Sequence, residues 1–210
     1  MPVRDKLPIR RPSPSKNPSG DNWRIHKPDL KEDFNDCCGY CGSYDGYKHT
    51  YFEVDHFIPK HFLKDSGSAI SLCDYKNLVY SCKFCNNKKL NKWPSKSETE
   101  YISNNKGFVD PCSSDYENQF RRTKDGSIIG VTEVGKWMAT EAFKFDERDF
   151  AIKLLWELKR SKTLIFTLIS ELKKADKGGE LYNQIEEEAK KLSLKYFVNH
   201  NELIEYYNSL

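Results

Sequence analysis

The amino-acid sequence predicts an α+β protein in which a small strand–strand–helix core precedes a helical C-terminal region. Three observations lead there. Two Cys-x-x-Cys units, Cys38–Cys41 and Cys82–Cys85, stand 40 residues apart and bracket a segment rich in β-formers. Within that segment the order reads strand, long loop, strand, helix. Beyond Thr132 the apolar residues recur at helical spacing through most of the remaining chain.

Taken in order, residues 1–22 are rich in Pro, Ser, Lys and Arg and read as a basic arm with no core of its own. Residues 23–105 form the expected core. Its first part, 23–34, predicts a short helix with Leu30 and Phe34 packing inward. Tyr51 to Asp55 alternates weakly and predicts a strand, Leu78 to Ser81 predicts a second, and helix is expected from about Cys85. Residues 106–131 look irregular apart from Asp125-Gly126, which sits between Gln119–Arg122 and Ser127–Ile129 as a hairpin turn would. Residues 132–210 read as helical. Asp146 is the expected N-cap of a long helix through about Lys174, with Phe150, Leu154, Leu158, Ile165, Leu168, Ile169 and Leu172 on its apolar face. Gly178-Gly179 should stop it. A further helix is expected from Glu180 to about Phe197, and a last one over Glu202–Tyr207.

Composition narrows the class. With 210 residues, 38% apolar and 13% aromatic, the chain can build a core of ordinary size. The net charge of +3 is modest, but its distribution is uneven. Met1 to Lys31 holds eight Lys or Arg against three Asp, and Lys83 to Ser97 holds five Lys and no acid. Such clusters attract phosphates even where total charge is small. No apolar run approaches the roughly 18 residues of a membrane span. The polar, Pro-rich start does not read as a secretory signal, so the expectation is a cytoplasmic protein without a membrane partner. Seven Cys, an odd number, do not make a disulfide framework in a reducing compartment. Paired Cys-x-x-Cys units there point to metal.

Zinc prefers four tetrahedral thiolates, and a two-residue gap lets both sulfurs of one turn face a single ion. Cys38, Cys41, Cys82 and Cys85 are therefore the expected structural Zn²⁺ ligands, with Gly39 and Gly42 easing the tight backbone. Cys37 competes with Cys38, but only Cys38 leaves the two-residue gap to Cys41. Cys73 and Cys112 stand alone and read as small core residues.

Inside the bracket stands Glu53-Val-Asp55-His56-Phe-Ile-Pro59-Lys60, followed by Asn77-Leu-Val-Tyr-Ser-Cys82 and Cys85-Asn86-Asn87-Lys88-Lys89. A strand thus ends in a carboxylate beside an imidazole. Hydrolysis of a phosphodiester needs an activated water and stabilisation of the developing charge. Imidazole takes a proton near neutral pH, which suits His56 as general base. A hard divalent cation such as Mg²⁺ or Mn²⁺ takes oxygen ligands, which Asp55 and the side-chain carbonyl of Asn86 supply.

These residues resemble the HNH (ββα-metal) endonuclease family in its zinc-knuckle form. The resemblance covers about Cys38 to Pro94, a quarter of the chain. It implies His56 as the base, Asp55 and Asn86 as ligands of the catalytic Mg²⁺ or Mn²⁺, Asn77 as the organiser of the loop that positions the base, and Lys89 near phosphate. Asn86 stands where other members carry His. The wider pattern, Asp-His-Phe-Ile-Pro-Lys with Tyr75-x-Asn77-Leu-Val-Tyr-Ser-Cys and Lys92-Trp93-Pro94, is similar to Septu-type anti-phage nucleases. That likeness implies an ATPase partner. The reading is a nuclease acting on nucleic acid, DNA before RNA. The competing readings are an inactive zinc-stapled binding or adaptor module, and an RNA-cleaving toxin subunit with an ATPase partner.

Overall fold

Trp23, His26, Leu30 and Phe34 fall on one side of a short helical stretch and are buried together. A 3-10 turn over Trp23–His26 runs into α1 (Lys27–Asp33), as the apolar spacing predicts. The computed structural model describes residues 1–148 and 150–209, and of Phe150 and Tyr207 the backbone alone.

β1 (Phe52–His56) and β2 (Leu78–Cys82) pair antiparallel, Phe52 opposite Cys82 and His56 opposite Leu78. Every residue of β2 is buried, which accounts for its apolar run rather than an alternation. The connection between them, expected as loop, contains α2 (Lys60–Asp65) and a 3-10 turn at Tyr75–Asn77. Pro59 opens α2 and Gly67, at φ +67°, follows its end, but six residues are too few to show a period in the sequence. β2 passes directly into α3 (Lys83–Lys89), with the extended backbone of Cys82 as its N-cap. The helix therefore begins two residues before Cys85.

Residues 106–131 are less irregular than expected. β3 (Ile102–Ser103) and β4 (Lys106–Gly107) form one small hairpin. After α4 (Asp115–Asn118), β5 (Phe120–Arg122) and β6 (Ile128–Gly130) form the hairpin that Asp125-Gly126 predicts. Thr132 caps α5 (Glu133–Trp137) by accepting from the Gly135 N–H at 2.9 Å. A wider π-type turn over Met138–Ala142 follows.

Met1–Arg148 forms one compact unit and Asp149–Leu210 a second. The division falls at 148, not at the expected 132. The reason is packing: Met138, Ala142, Phe143 and Phe145 belong to the first unit's core, with the Phe143 ring 4.7 Å from that of Tyr40. Asp146 lies inside a 3-10 turn, Phe145–Glu147, and caps no long helix.

The arm expected over residues 1–22 is also part of the first unit. Arg4 binds Glu117, the Gly39 carbonyl and the Pro111 carbonyl. Arg10 holds Asp110, and Arg11 holds Asp29, Glu32 and Asp33. Val3 is fully buried. These three arginines are thus consumed within the chain, which sequence counting of charges does not reveal.

The second unit is a helical hairpin, α6 (Phe150–Leu172) and α7 (Glu180–Asn208), reversed at Gly178 with φ +85°. An ion pair between Glu157 and Lys195 links positions equally far from the turn, so the helices run antiparallel. α7 is continuous through the break expected near residue 200, because Asn201 pairs with Glu205 one turn on and no Gly or Pro interrupts it. Leu154 and Leu158 of the expected apolar face are buried, Ile165, Leu168 and Leu172 are half-buried, and Ile169 is exposed; the Phe150 and Tyr207 side chains lie outside the described residues. No helix among the described residues is long and apolar enough to cross a membrane.

Candidate active site and metal centre

The two Cys-x-x-Cys units meet. Cys38 and Cys41 lie on the turn after α1, Cys82 ends β2 and Cys85 sits in the first turn of α3. All four are fully buried and unbridged, and their sulfurs lie within 4.8 Å of one another. Tetrahedral zinc with bonds of about 2.3 Å puts its sulfurs about 3.8 Å apart, and Cys41 Sγ lies 3.8 Å from Cys82 Sγ. The cluster therefore fits such an ion. Gly42, at φ +71°, makes the turn, and a Cβ there would meet the Val3 carbonyl at 2.5 Å. The Gly39 N–H donates to Tyr80 O at 2.8 Å, tying the first knuckle to β2.

Burial raises the Cys41 thiol, but hydrogen bonds from Cys38, Cys82 and Cys85 outweigh it and hold its pKa well below the ordinary range. Arg148 supplies the positive charge. Its Nη2 lies 3.3 Å from Cys82 Sγ and its Nη1 donates to Ser43 Oγ at 3.2 Å. Burial works against the guanidinium, yet the four sulfurs overcome that and raise its pKa. A buried cation here offsets the negative charge that a zinc tetrathiolate carries.

At the end of β1 the sequence-selected residues converge. Asp55, His56 and Asn86 line one cavity of about 190 Å³, together with Trp23, Arg24 and Lys60. His56 Nε2 lies 2.9 Å from Leu72 O. A carbonyl only accepts, so Nε2 carries the proton and Nδ1 of the neutral ring keeps its lone pair. Burial lowers the His56 pKa, outweighing the Leu72 hydrogen bond and Asp55, which raise it. The ring is thus neutral near pH 7, the form a base requires.

Asn77 is buried and lies one residue before β2. Its Oδ1 accepts from the Ile58 N–H at 2.8 Å and its Nδ2 donates to Ile58 O at 3.1 Å, while its own carbonyl accepts from the Phe57 N–H. The chain just after His56 is clamped by these three bonds.

Asp55 Oδ2 accepts from Tyr40 Oη at 2.6 Å and pairs with Lys89 Nζ at 3.1 Å. Lys89 is fully buried and also donates to His56 O at 2.7 Å. It props the strand end from beneath, so it does not face the cavity in the way a phosphate contact would. Burial lowers its pKa, which Asp55 opposes. Asn86 Nδ2 donates to Glu53 Oε2 at 2.6 Å. A carboxylate only accepts, so this bond fixes the amide, and no donor among the described residues competes for Asn86 Oδ1. Glu53 and Asp55 are two apart on β1 and share a face. Asp55 and Asn86 line the same cavity and both carry hard oxygens, the donor type that a divalent cation takes.

Sequence reasoning missed Tyr40, Glu53 and Trp23. Tyr40 hid as a spacer inside Cys38-x-x-Cys41, whereas the alternation Glu53-x-Asp55 was a visible signal. The Trp23 ring meets the His56 ring edge-on at 4.9 Å, from a segment outside the motif.

A two-stranded ribbon leading into a helix, with Asp-His at the strand end and a thiol cluster at its other end, defines a ββα-metal architecture. Residues 38–92, about a quarter of the chain, match the family model described as HNH endonuclease. No curated protein and no solved structure matches the chain significantly.

Proposed function

We propose that this chain is a metal-dependent endonuclease that hydrolyses phosphodiester bonds in DNA, with His56 as general base and Asp55 and Asn86 holding the catalytic Mg²⁺ or Mn²⁺. The observation that carries this reading is the shared cavity of Asp55, His56 and Asn86, in which the Leu72 carbonyl leaves His56 Nδ1 as the free basic nitrogen. His56 Nδ1 takes a proton from a water, whose oxygen attacks phosphorus. One ester oxygen leaves and takes a proton in turn. The Asn77 clamp and the Leu72 carbonyl hold the imidazole, and Lys89 and Tyr40 hold Asp55. A bound divalent cation would supply charge stabilisation at the phosphoryl and leaving oxygens. The four cysteines would hold a separate, structural Zn²⁺.

The likeness to Septu-type nucleases supports a role in anti-phage defence beside an ATPase subunit. The exposed Phe166, Leu194 and Phe197 of the helical hairpin support a docking role for that unit. The test of the activity is to incubate the purified chain with plasmid, single-stranded DNA and RNA, with and without Mg²⁺ or Mn²⁺. Metal-dependent cutting of DNA, lost in His56→Ala, is the expected result.

A second reading, a zinc-stapled binding module, is favoured by one observation: Asp55 Oδ2 is already occupied by Tyr40 and Lys89. Tight DNA binding without cleavage under any divalent metal would establish it.

A further inference from the structure

The catalytic cavity holds one carboxylate, Asp55, and two cations, Arg24 and Lys60. Both cations lie against Trp23, Arg24 at 4.9 Å and Lys60 at 5.1 Å from its ring centroid, so they are held at the cavity beside His56. No acid pairs with either among the described residues.

Arg24 opens a row. Trp23, His26, Leu30 and Phe34 of the first helical stretch face the core, and Arg24, Lys27 and Lys31 run beside them at helical spacing, Arg24 and Lys27 exposed and Lys31 half-buried. Lys27 and Lys31 line a second cavity of about 490 Å³, together with Lys48, His49, Tyr51 and Phe52. Lys31 and Lys48 share the Asp45 carboxylate, each at 3.1 Å, and Lys31 also approaches Asp36 at 3.5 Å. Lys27 has no acidic partner among the described residues, so the second cavity keeps a positive balance. His49 adds an independent sign: both its ring nitrogens are buried and, among the described residues, without a hydrogen-bond partner. Tyr51 is 78% exposed at the same cavity. The first cavity is lined by Trp23 and Arg24 of the 3-10 turn and by Val54 to His56 of β1, and the second by Lys27 and Lys31 of α1 and by Phe52 of β1, so the same two successive segments border both.

From these placements we propose that the sugar–phosphate backbone of DNA runs from the catalytic cavity along Arg24, Lys27 and Lys31 into the basic cavity at Lys48 and His49. This surface rests on the nuclease reading above, and Arg24, Lys27 and Lys31 lie outside the matched segment 38–92. The eight residues from Arg24 to Lys31 span about 10 Å of helix. One DNA strand presents a phosphate every 3.4 Å or so along its axis, so the row faces about three phosphates. Arg11, Arg10 and Arg4, by contrast, are held in internal ion pairs. Of the eight basic residues from Met1 to Lys31, Arg4, Arg10 and Arg11 hold the arm, whereas Arg24, Lys27 and Lys31 line these two cavities.

The test measures DNA binding against salt, in the full chain carrying His56→Ala so that nothing is cut. Arg24→Gln/Lys27→Gln removes two exposed cations and leaves every buried residue of the stretch in place, with melting checked because Arg24 covers the Trp23 ring. Arg121→Gln/Lys124→Gln removes the same charge from the β5–β6 hairpin. With a short DNA duplex, the slope of log K against log salt should fall by about 2 in the first variant, since each phosphate contact contributes about 0.9. It should stay at the parent value in the second. Single-stranded DNA and RNA, run alongside, read the preferred strand form by their own slopes. An unchanged slope in Arg24→Gln/Lys27→Gln, or an equal fall in both variants, while the parent binds and the wild-type chain cuts, would overturn this surface alone. A wild-type chain that neither bound nor cut any of the three would overturn the nuclease reading and the surface with it.

Discussion

Each side chain around His56 acts by restricting one hydrogen-bonding choice. The Leu72 carbonyl forces the proton onto Nε2, and Glu53 turns the Asn86 amide so that Oδ1 is spared. His56→Ala is expected to lower cleavage by about 10²–10⁴ while zinc content and melting stay near wild type; cutting at the wild-type rate would sink the assignment. Because burial lowers the His56 pKa, its neutral form persists below the ordinary value of about 6.5. The acid limb of the rate profile should accordingly fall off only below that value, which a kcat/KM series in pH would show. Lys89 has a different expected signature. Removing it leaves the buried Asp55 with one partner fewer, so Lys89→Met should cost about 3–5 kcal/mol of stability. Its salt slope in DNA binding should not move, whereas a phosphate contact would lose about one. Denaturation and binding curves on the same variant separate the two roles. Asp55, His56, Asn77 and Asn86 were legible as a set because their spacing is peculiar. Tyr40 and Trp23 were not, since an aromatic residue in a spacer or a lead-in looks like any other core residue.

Among elements, the β1–β2 ribbon with α3 depends on the thiol cluster at its far end. Cys82 and Cys85 straddle the β2–α3 junction, and Cys38 and Cys41 tie α1's exit to it. Metal binding in such a cluster is folding free energy. One tightly held zinc per chain is expected from protein purified without added zinc, and Cys82→Ser should misfold or aggregate. Normal melting in that variant would refute a structural ion. Arg148→Met should release zinc faster to a chelator than wild type, and Arg148→Lys should restore part of the difference, since the guanidinium lies 3.3 Å from Cys82 Sγ. Strand positions and the β5–β6 hairpin were readable because β-formers and Asp-Gly turns act locally. The start of α3 and the whole of α2 were not, because a six- or seven-residue helix shows barely two turns of pattern.

For the whole molecule, the division at Arg148 decides what can be removed. A chain ending after Gly130 loses Phe143, Phe145 and Arg148 and should not hold zinc. A chain of residues 1–148 with a short polar extension retains them and is expected to keep both zinc and DNA cleavage. Metal analysis and the plasmid assay check this, and loss of both from the longer truncation would show that the helical hairpin braces the nuclease unit.

By itself the sequence determined the local frame and which residues the candidate site gathers. Thiol pairs, an Asp-His beside β-formers and helical apolar periods are short-range patterns, and backbone geometry converts them directly into knuckles, a strand end and helices. Only the tertiary structure decided which charges remain free and where the chain divides. Arg4, Arg10 and Arg11 look like Arg24 and Lys27 in the sequence, yet acids brought from Asp29 to Glu117 hold the first three and leave the others facing the cavities. Lys89 likewise lies within a basic run but is buried under Asp55, because desolvating an amine is tolerable only where a carboxylate and a carbonyl receive it. Pairing of this kind joins residues far apart in the chain, and no local pattern encodes it.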